Sequence, residues 1–248
     1  MRLLMRPNRR DVGEALPLTQ AAWELPEKTP EQSAQRVQAL VSALEQERLI
    51  VPVTVEADPE DPDHKPLDPR TSPLQTTDSP YGSSVVAFTS ADELFRWDPK
   101  GRPMTMKSFR VAVAAVASTD SETITLNPGS KRRTIIPRPA VLALAAGDAW
   151  LPAWDNPELV KALKARAQEA SPGVVGLKLR PAAPYGSGSW DGGVAVDLYI
   201  DPQKLKGSAG PAEGKASLAA AMKAVSTDPM LKEAAQSVEL VPRPVAGA

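Results

Sequence analysis

Val85-Val86-Ala87-Phe88-Thr89-Ser90-Ala91-Asp92-Glu93-Leu94-Phe95-Arg96-Trp97-Asp98 decides how this chain is read. Val85 to Phe88 is a short apolar run with β-branched residues, which suits a strand buried on both faces. Ser90 with Glu93 three positions on has the form of a capping box. The hydroxyl accepts from a free N–H of the first turn, and the carboxylate reaches back to the serine N–H. Leu94, Phe95 and Trp97 give the following helix a bulky apolar side. Asp98-Pro99 ends it, because proline disfavours helix at the residue before it. Burying each large side chain is worth roughly 1.5–3 kcal/mol. Aromatic residues make up 4% of the chain, so this cluster is expected to anchor the core.

Helices and strands extend outward from it. Ala15 to Leu25 suits one or two helical turns, with Trp23 docking; the rest of residues 1–28 reads as a flexible arm with a basic start. Thr29-Pro30-Glu31-Gln32 starts a helix whose Val37, Leu40, Val41 and Leu44 share one face. Leu49 to Val55 is a strand. Residues 56–82 mix Glu56, Asp58, Glu60, Asp61 and Asp63 with prolines and read as a long mobile acidic loop. Thr105 to Ala117 is expected to be a helix with Met106, Phe109, Val113 and Val116 inward. Ile124 to Leu126 and Thr134 to Ile136 are strands around the turn Asn127-Pro128-Gly129-Ser130, and Pro139 opens a helix that Gly147 closes.

Trp150 to Trp154 marks a boundary. Beyond it, Asn156-Pro157 caps a helix to about Ala170, and Val174 to Arg180 and Val194 to Ile200 alternate as strands that each bury one face. Residues 207–214 read as a linker, Leu218, Met222 and Val225 as a helix, and Asp228-Pro229 as the start of another. Val238 to Val241 is a last strand, frayed from Pro242. The expected fold class is α+β, as two small mixed halves of similar element order: helix, strand, loop, strand, helix, strand. The halves fall at 29–150 and 155–242. A duplication would require the same strand order in both.

The chain resembles the SseB family of bacterial proteins, named for an enhanced-serine-sensitivity phenotype. Ile50-Val51-Pro52-Val53, then Val86-Ala87-Phe88-Thr89-Ser90 with Leu94 and Trp97, then Leu126-Asn127-Pro128-Gly129-Ser130 carry the resemblance to its N-terminal domain. Residues 157–241 resemble its C-terminal domain. The resemblance implies a soluble α/β protein with no established enzyme activity and no known cofactor.

Composition removes several function classes. Net charge is −1, from 29 basic and 30 acidic residues, which argues against a general nucleic-acid binder and offers no polycation to a membrane. There is no cysteine, so disulfides, thiolate metal sites and cysteine nucleophiles are out. The single His64 removes His-rich metal sites and most triad chemistry. No apolar run approaches the roughly 20 residues of a spanning helix, and the chain reads as cytoplasmic.

The polar candidates are few. Asn127, Gly129, Ser130, Lys131, Arg132 and Arg133 form a glycine turn followed by cations, a candidate anion contact. It lacks the glycine spacing of a P-loop. Thr89 and Ser90, at a strand end, are candidates to face a groove. Tyr185 and Trp190, among glycines and serines, are candidates for contact with a partner protein. Gly186, Gly188 and Gly192 miss the dinucleotide pattern, because Asp191 stands at its third position and a strand follows. The expectation is a non-enzymatic protein with no cofactor, acting through contacts with an unidentified protein partner. A small-molecule or anion sensor is the alternative, and a carboxylate-based hydrolase or transferase comes third.

Overall fold

The computed structural model describes residues 11–53, 74–183, 190–206 and 210–245. Helix α1 (Pro17–Trp23) lies on α2 (Pro30–Leu44), and strand β1 (Arg48–Val53) follows. Next come the hairpin β2 (Thr76–Ser79) and β3 (Gly82–Ala87), then helix α3 (Ala91–Trp97), strand β4 (Arg102–Lys107) and helix α4 (Ser108–Ser118). Strands β5 (Ile124–Leu126) and β6 (Thr134–Ile136) and helix α5 (Arg138–Ala146) complete the first half. The second half contains α6 (Pro157–Ala170), β7 (Val174–Ala182), β8 (Gly193–Ile200), α7 (Pro202–Lys206), α8 (Pro211–Ser226), α9 (Pro229–Ala234) and β9 (Ser237–Pro244). The fold is α+β.

The opening stretch is central, as its sequence requires. Strand β3 sits inside a sheet of order β2-β3-β5-β6, parallel to β5, with Val85, Val86, Ala87 and Phe88 fully buried. The ribbon β1-β4 joins at the end of β3, where Ile50 and Phe88 exchange both backbone bonds, at 2.8 and 2.7 Å. Phe88 packs on Trp97 with ring centroids 5.5 Å apart. Two details depart from the reading. Phe95 is 43% exposed. Only half of the capping box forms: the Glu93 N–H donates to Ser90 Oγ, while the Glu93 carboxylate accepts from Arg96 at 2.8 Å.

Other helix starts follow their caps. Thr29 accepts from the Gln32 N–H, Asn156 from the Leu159 N–H, and Asp228 from the N–H groups of Met230 and Leu231, each just before a proline at the first helical position. Residues 11–25, read as mostly free arm, are instead packed down. Gly13 O accepts from the Ala91 N–H, and Trp23 is buried against Leu40 with the Arg36 guanidinium over its ring. Residues 1–10 lie outside the described residues, as do 54–73 of the acidic loop with His64. The end of that loop is strand β2.

The expected helix from Thr105 is corrected. Residues 102–107 pair with β1, Arg48 opposite Lys107 and Val51 opposite Met104, and the helix starts at Ser108. Its buried stripe is Val111, Ala112 and Ala115, so Phe109 and Val113 face outward at 45% and 48% exposure.

In the second half the sheet order is β7-β8-β9, antiparallel then parallel. Val194, Val196 and Leu198 form the expected apolar face, clustered with Leu163 and Ala167 of α6 and Ala221 and Val225 of α8. The opposite face of β8 is buried as well. There Asp197 accepts from Arg180 on β7 at 3.0 Å and from Arg243 on β9 at 3.2 Å. These two guanidinium groups hold the Asp197 carboxyl below the usual range, although burial pushes the other way. The linker reading ends early, because residues 211–214 are the first turn of α8. The last strand runs on to Pro244, so residues 242–244 are paired, not frayed. The halves share an element order in outline, but their strand orders differ, and by that criterion they are not a duplication.

Candidate functional site

The sequence-selected polar residues separate into distinct environments. Asn127, fully buried with φ 48°, turns its side chain inward. Its Oδ1 accepts from the Thr89 N–H at 3.0 Å, and its Nδ2 donates to Thr89 Oγ1 at 3.1 Å. Thr89 and Ser90 are themselves buried, Ser90 as the cap of α3. Thr89 and Asn127 therefore latch two strand ends together, and neither Thr89 nor Ser90 faces a groove. The turn closes as expected, with Ser130 N–H donating to Asn127 O at 3.1 Å and Gly129 at φ 75°. Ser130 Oγ accepts from the Arg132 N–H. Lys131, Arg132 and Arg133 are exposed, with Arg132 3.8 Å from Glu24. Asn127 is thus turned away from the three cations, and one of them, Arg132, already lies beside a carboxylate.

Trp190 is also corrected. It is 3% exposed and belongs to the core of the first half. Its ring stacks on Trp150 at 6.0 Å and meets Trp154 edge-on at 5.4 Å, while its indole N–H donates to Gly193 O at 2.6 Å. Aromatic geometry of this kind adds to plain burial. It is a bolt between the halves, not a recognition side chain. Tyr185 lies outside the described residues.

A different site emerges where α2 turns into β1. The chain reverses in the few residues from Leu44 to Arg48, held by the Glu47 N–H to Ala43 O bond at 2.9 Å. Pairing in the β1-β4 ribbon then brings Lys107 beside Arg48, and Ser108 Oγ donates to Glu47 O at 2.7 Å, tying the two walls. Gly147, at φ 79° with open space around it, turns the chain out of α5 and leaves Asp148 at the rim. The cavity between these parts measures about 660 Å³, with Leu16, Leu44, Phe109 and Leu144 as its apolar surface.

Its charge is lopsided. Asp11, Glu14, Glu45, Glu47 and Asp148 face only Arg48 and Lys107. Two of the acids are already engaged. Arg48 makes a two-pronged bond to Asp11, at 2.7 and 2.6 Å, which holds that carboxyl below its ordinary range. The Glu47 carboxylate accepts from the Leu18 and Thr19 N–H groups, at 2.8 and 2.9 Å, capping α1. Glu14, Glu45 and Asp148 are exposed, and none is in an ion pair among the described residues. A second hollow of about 350 Å³, lined by Leu18, Ala21, Leu25, Ala39 and Ala43, shares Gln46 with the first. The two adjoin at Gln46, beside the C-terminal end of α2, as a trough in two parts, one apolar and the other acid-rimmed.

The trough's one hydroxyl with a marked role, Ser108, is spent on a backbone carbonyl, and no three acidic groups among the described residues converge closely enough to hold a metal ion. Sequence reading missed this site because its acids come from three separate segments. Asp11 and Glu14 fell in the supposed arm, and Phe109 was assigned to the core.

Among the described residues no helix is long and apolar enough to cross a membrane. The family model for the SseB protein N-terminal domain matches residues 27–143, just under half the chain, and takes in the α2-β1 turn and residues 107–109 of the trough but not Asp11, Glu14 or Asp148. No curated protein and no solved structure matches the chain.

Proposed function

From the premise that this chain belongs to the SseB family through residues 27–143, we propose that it is a non-catalytic protein that works by holding a segment of another protein in the α2-β1 trough. The observation that supports this reading is the exposed apolar surface inside an acid rim. Phe109 is 45% exposed in the cavity whose Glu14, Glu45 and Asp148 have no ion-pair partner among the described residues, and Leu18 is 43% exposed in the adjoining hollow. Exposed apolar surface rimmed by polar groups is the usual mark of an interaction site. An extended trough suits a chain segment better than a compact small molecule.

The test is capture from the native cell with tagged parent protein, Phe109→Arg and Leu151→Arg. Phe109 lies in the trough; Leu151, 54% exposed, lies outside it. A partner held by the parent and by Leu151→Arg but lost with Phe109→Arg supports the reading. A partner held equally by all three places the contact elsewhere and removes the trough from the account.

A further inference from the structure

Resting on that reading, we infer that the segment held in the trough is basic and amphipathic: an apolar stretch adjoining a run of arginine or lysine side chains. Charge complementarity carries the inference. The acid-rimmed cavity contributes five carboxylates against two cations, and the three that lack ion-pair partners among the described residues, Glu14, Glu45 and Asp148, come from three separate segments around one apolar surface. Carboxylates brought together from separate elements repel one another and gain most from a bound cation. The adjoining hollow has no charged lining residue at all: Leu18, Ala21, Ala22, Leu25, Ala39, Ser42, Ala43 and Gln46. The occupant's apolar side chains therefore sit along α1 and the outer face of α2, and its cations sit between Glu45 and Asp148. Lys107 stands at the same cavity and disfavours an acidic occupant least at its own side, but it is outnumbered. An acidic or purely apolar segment would leave the rim unpaired.

The test uses the full chain and labelled synthetic peptides, read by fluorescence anisotropy. One peptide carries leucines followed by arginines; its counterpart carries glutamates in place of the arginines. The arginine peptide is expected to bind, with affinity falling as salt rises, because the rim charges are exposed and screened. The glutamate peptide is expected not to bind. Combined Glu14→Gln, Glu45→Gln and Asp148→Asn is expected to weaken the arginine peptide about tenfold. Phe109→Ser is expected to weaken it without changing the salt dependence. Equal binding of both peptides, or binding unaffected by the triple substitution, overturns the inference. So does tighter peptide binding when Arg2, Arg6, Arg9 and Arg10 are changed to glutamine, since the chain's own basic start would then be the occupant. Loss of a cellular partner with Phe109→Arg, together with no preference for the arginine peptide, leaves the trough as the contact and rejects only the charge assignment.

Discussion

The backbone N–H of Trp190 donates to the hydroxyl of Ser33 at 2.9 Å, across 157 residues of chain. This bond and the Trp150–Trp154–Trp190 cluster join the second half of the protein to α2 and the first core. Trp190→Ala is expected to destabilise the fold by about 3–5 kcal/mol, the usual cost of emptying an aromatic site in a core. Ser33→Ala leaves a buried N–H without its acceptor and is expected to cost about 1–3 kcal/mol. Urea denaturation measures both. Removing residues 181–193 should abolish cooperative folding, because it takes Trp190, the end of β7 and the start of β8 together. If that deletion leaves the urea midpoint unchanged, Trp190 does not bind the halves together.

The Thr89–Asn127 latch and the cations after it predict opposite outcomes from neighbouring substitutions. Asn127→Ala removes the acceptor of the buried Thr89 N–H and places alanine at a positive φ of 48°, so a loss of about 2 kcal/mol or more is expected. Changing Lys131, Arg132 and Arg133 together to alanine should stay within about 0.5 kcal/mol, as for most exposed substitutions. The same triple variant tests the anion-sensing alternative. With Asn127 turned inward and Arg132 beside Glu24, phosphate or sulfate is expected to raise the melting temperature of parent and variant equally. An anion-dependent rise in the parent that the variant loses would favour a sensor.

Where sequence signals were local, they were legible. The caps at Thr29, Ser90, Asn156 and Asp228 were readable because each side chain bonds a backbone N–H two or three residues away. The inner end of β3 was readable because Val85, Val86 and Ala87 run apolar and unbroken into Phe88. The β4 error has a physical cause: residues 102–107 alternate weakly, and α4 begins without a capping side chain, so nothing marked where strand became helix. The α4 face was misassigned because its inner stripe, Ser108, Val111, Ala112 and Ala115, is made mostly of small residues. Small residues let α4 approach α5 closely, while the large Phe109 and Val113 remain outside. Trp190 looked like a recognition residue because its neighbours are glycine and serine. Its true partners, Ser33 and Trp150, are distant in sequence, and only the assembled fold brings them together.

Acid should act on two buried carboxyls with opposite signs. Asp197 is held below its ordinary value of 3.8, so its stabilising effect is complete above that value and is lost as pH falls toward the folded-state value. Asp191 is raised above 3.8, chiefly by burial, with the Tyr81 hydroxyl bond at 2.9 Å opposing the rise. Its contribution runs the other way: stability is greatest below about pH 4 and declines as pH rises through the folded-state value. Melting temperature measured from about pH 6 to pH 3 should fall less steeply for Asp197→Asn than for the parent, and more steeply for Asp191→Asn. Parallel curves for all three proteins would show that neither carboxyl controls acid stability.

Gly192 concentrates the join between the halves at one backbone position. Its φ is 112°, a conformation L side chains rarely adopt, and a Cβ there would lie 2.7 Å from both Pro137 Cβ and Gln236 Cβ. Those neighbours cannot easily yield. Gln236 N–H donates to Gly192 O at 3.2 Å, and Gln236 Oε1 accepts from the Arg138 N–H at 2.7 Å, so the starts of α5, β8 and β9 are fixed together. Gly147 supplies the control, since its φ is also positive, 79°, but nothing lies within 4 Å of the Cβ it would gain. Gly147→Ala therefore carries only the conformational cost, about 1 kcal/mol. Gly192→Ala adds a steric clash to that cost and should destabilise by about 3 kcal/mol or more. Urea midpoints compared at equal slope give the difference. A Gly192→Ala loss no larger than that of Gly147→Ala would mean that Pro137 and Gln236 move apart freely, and that the join between the halves does not depend on their close approach at this position.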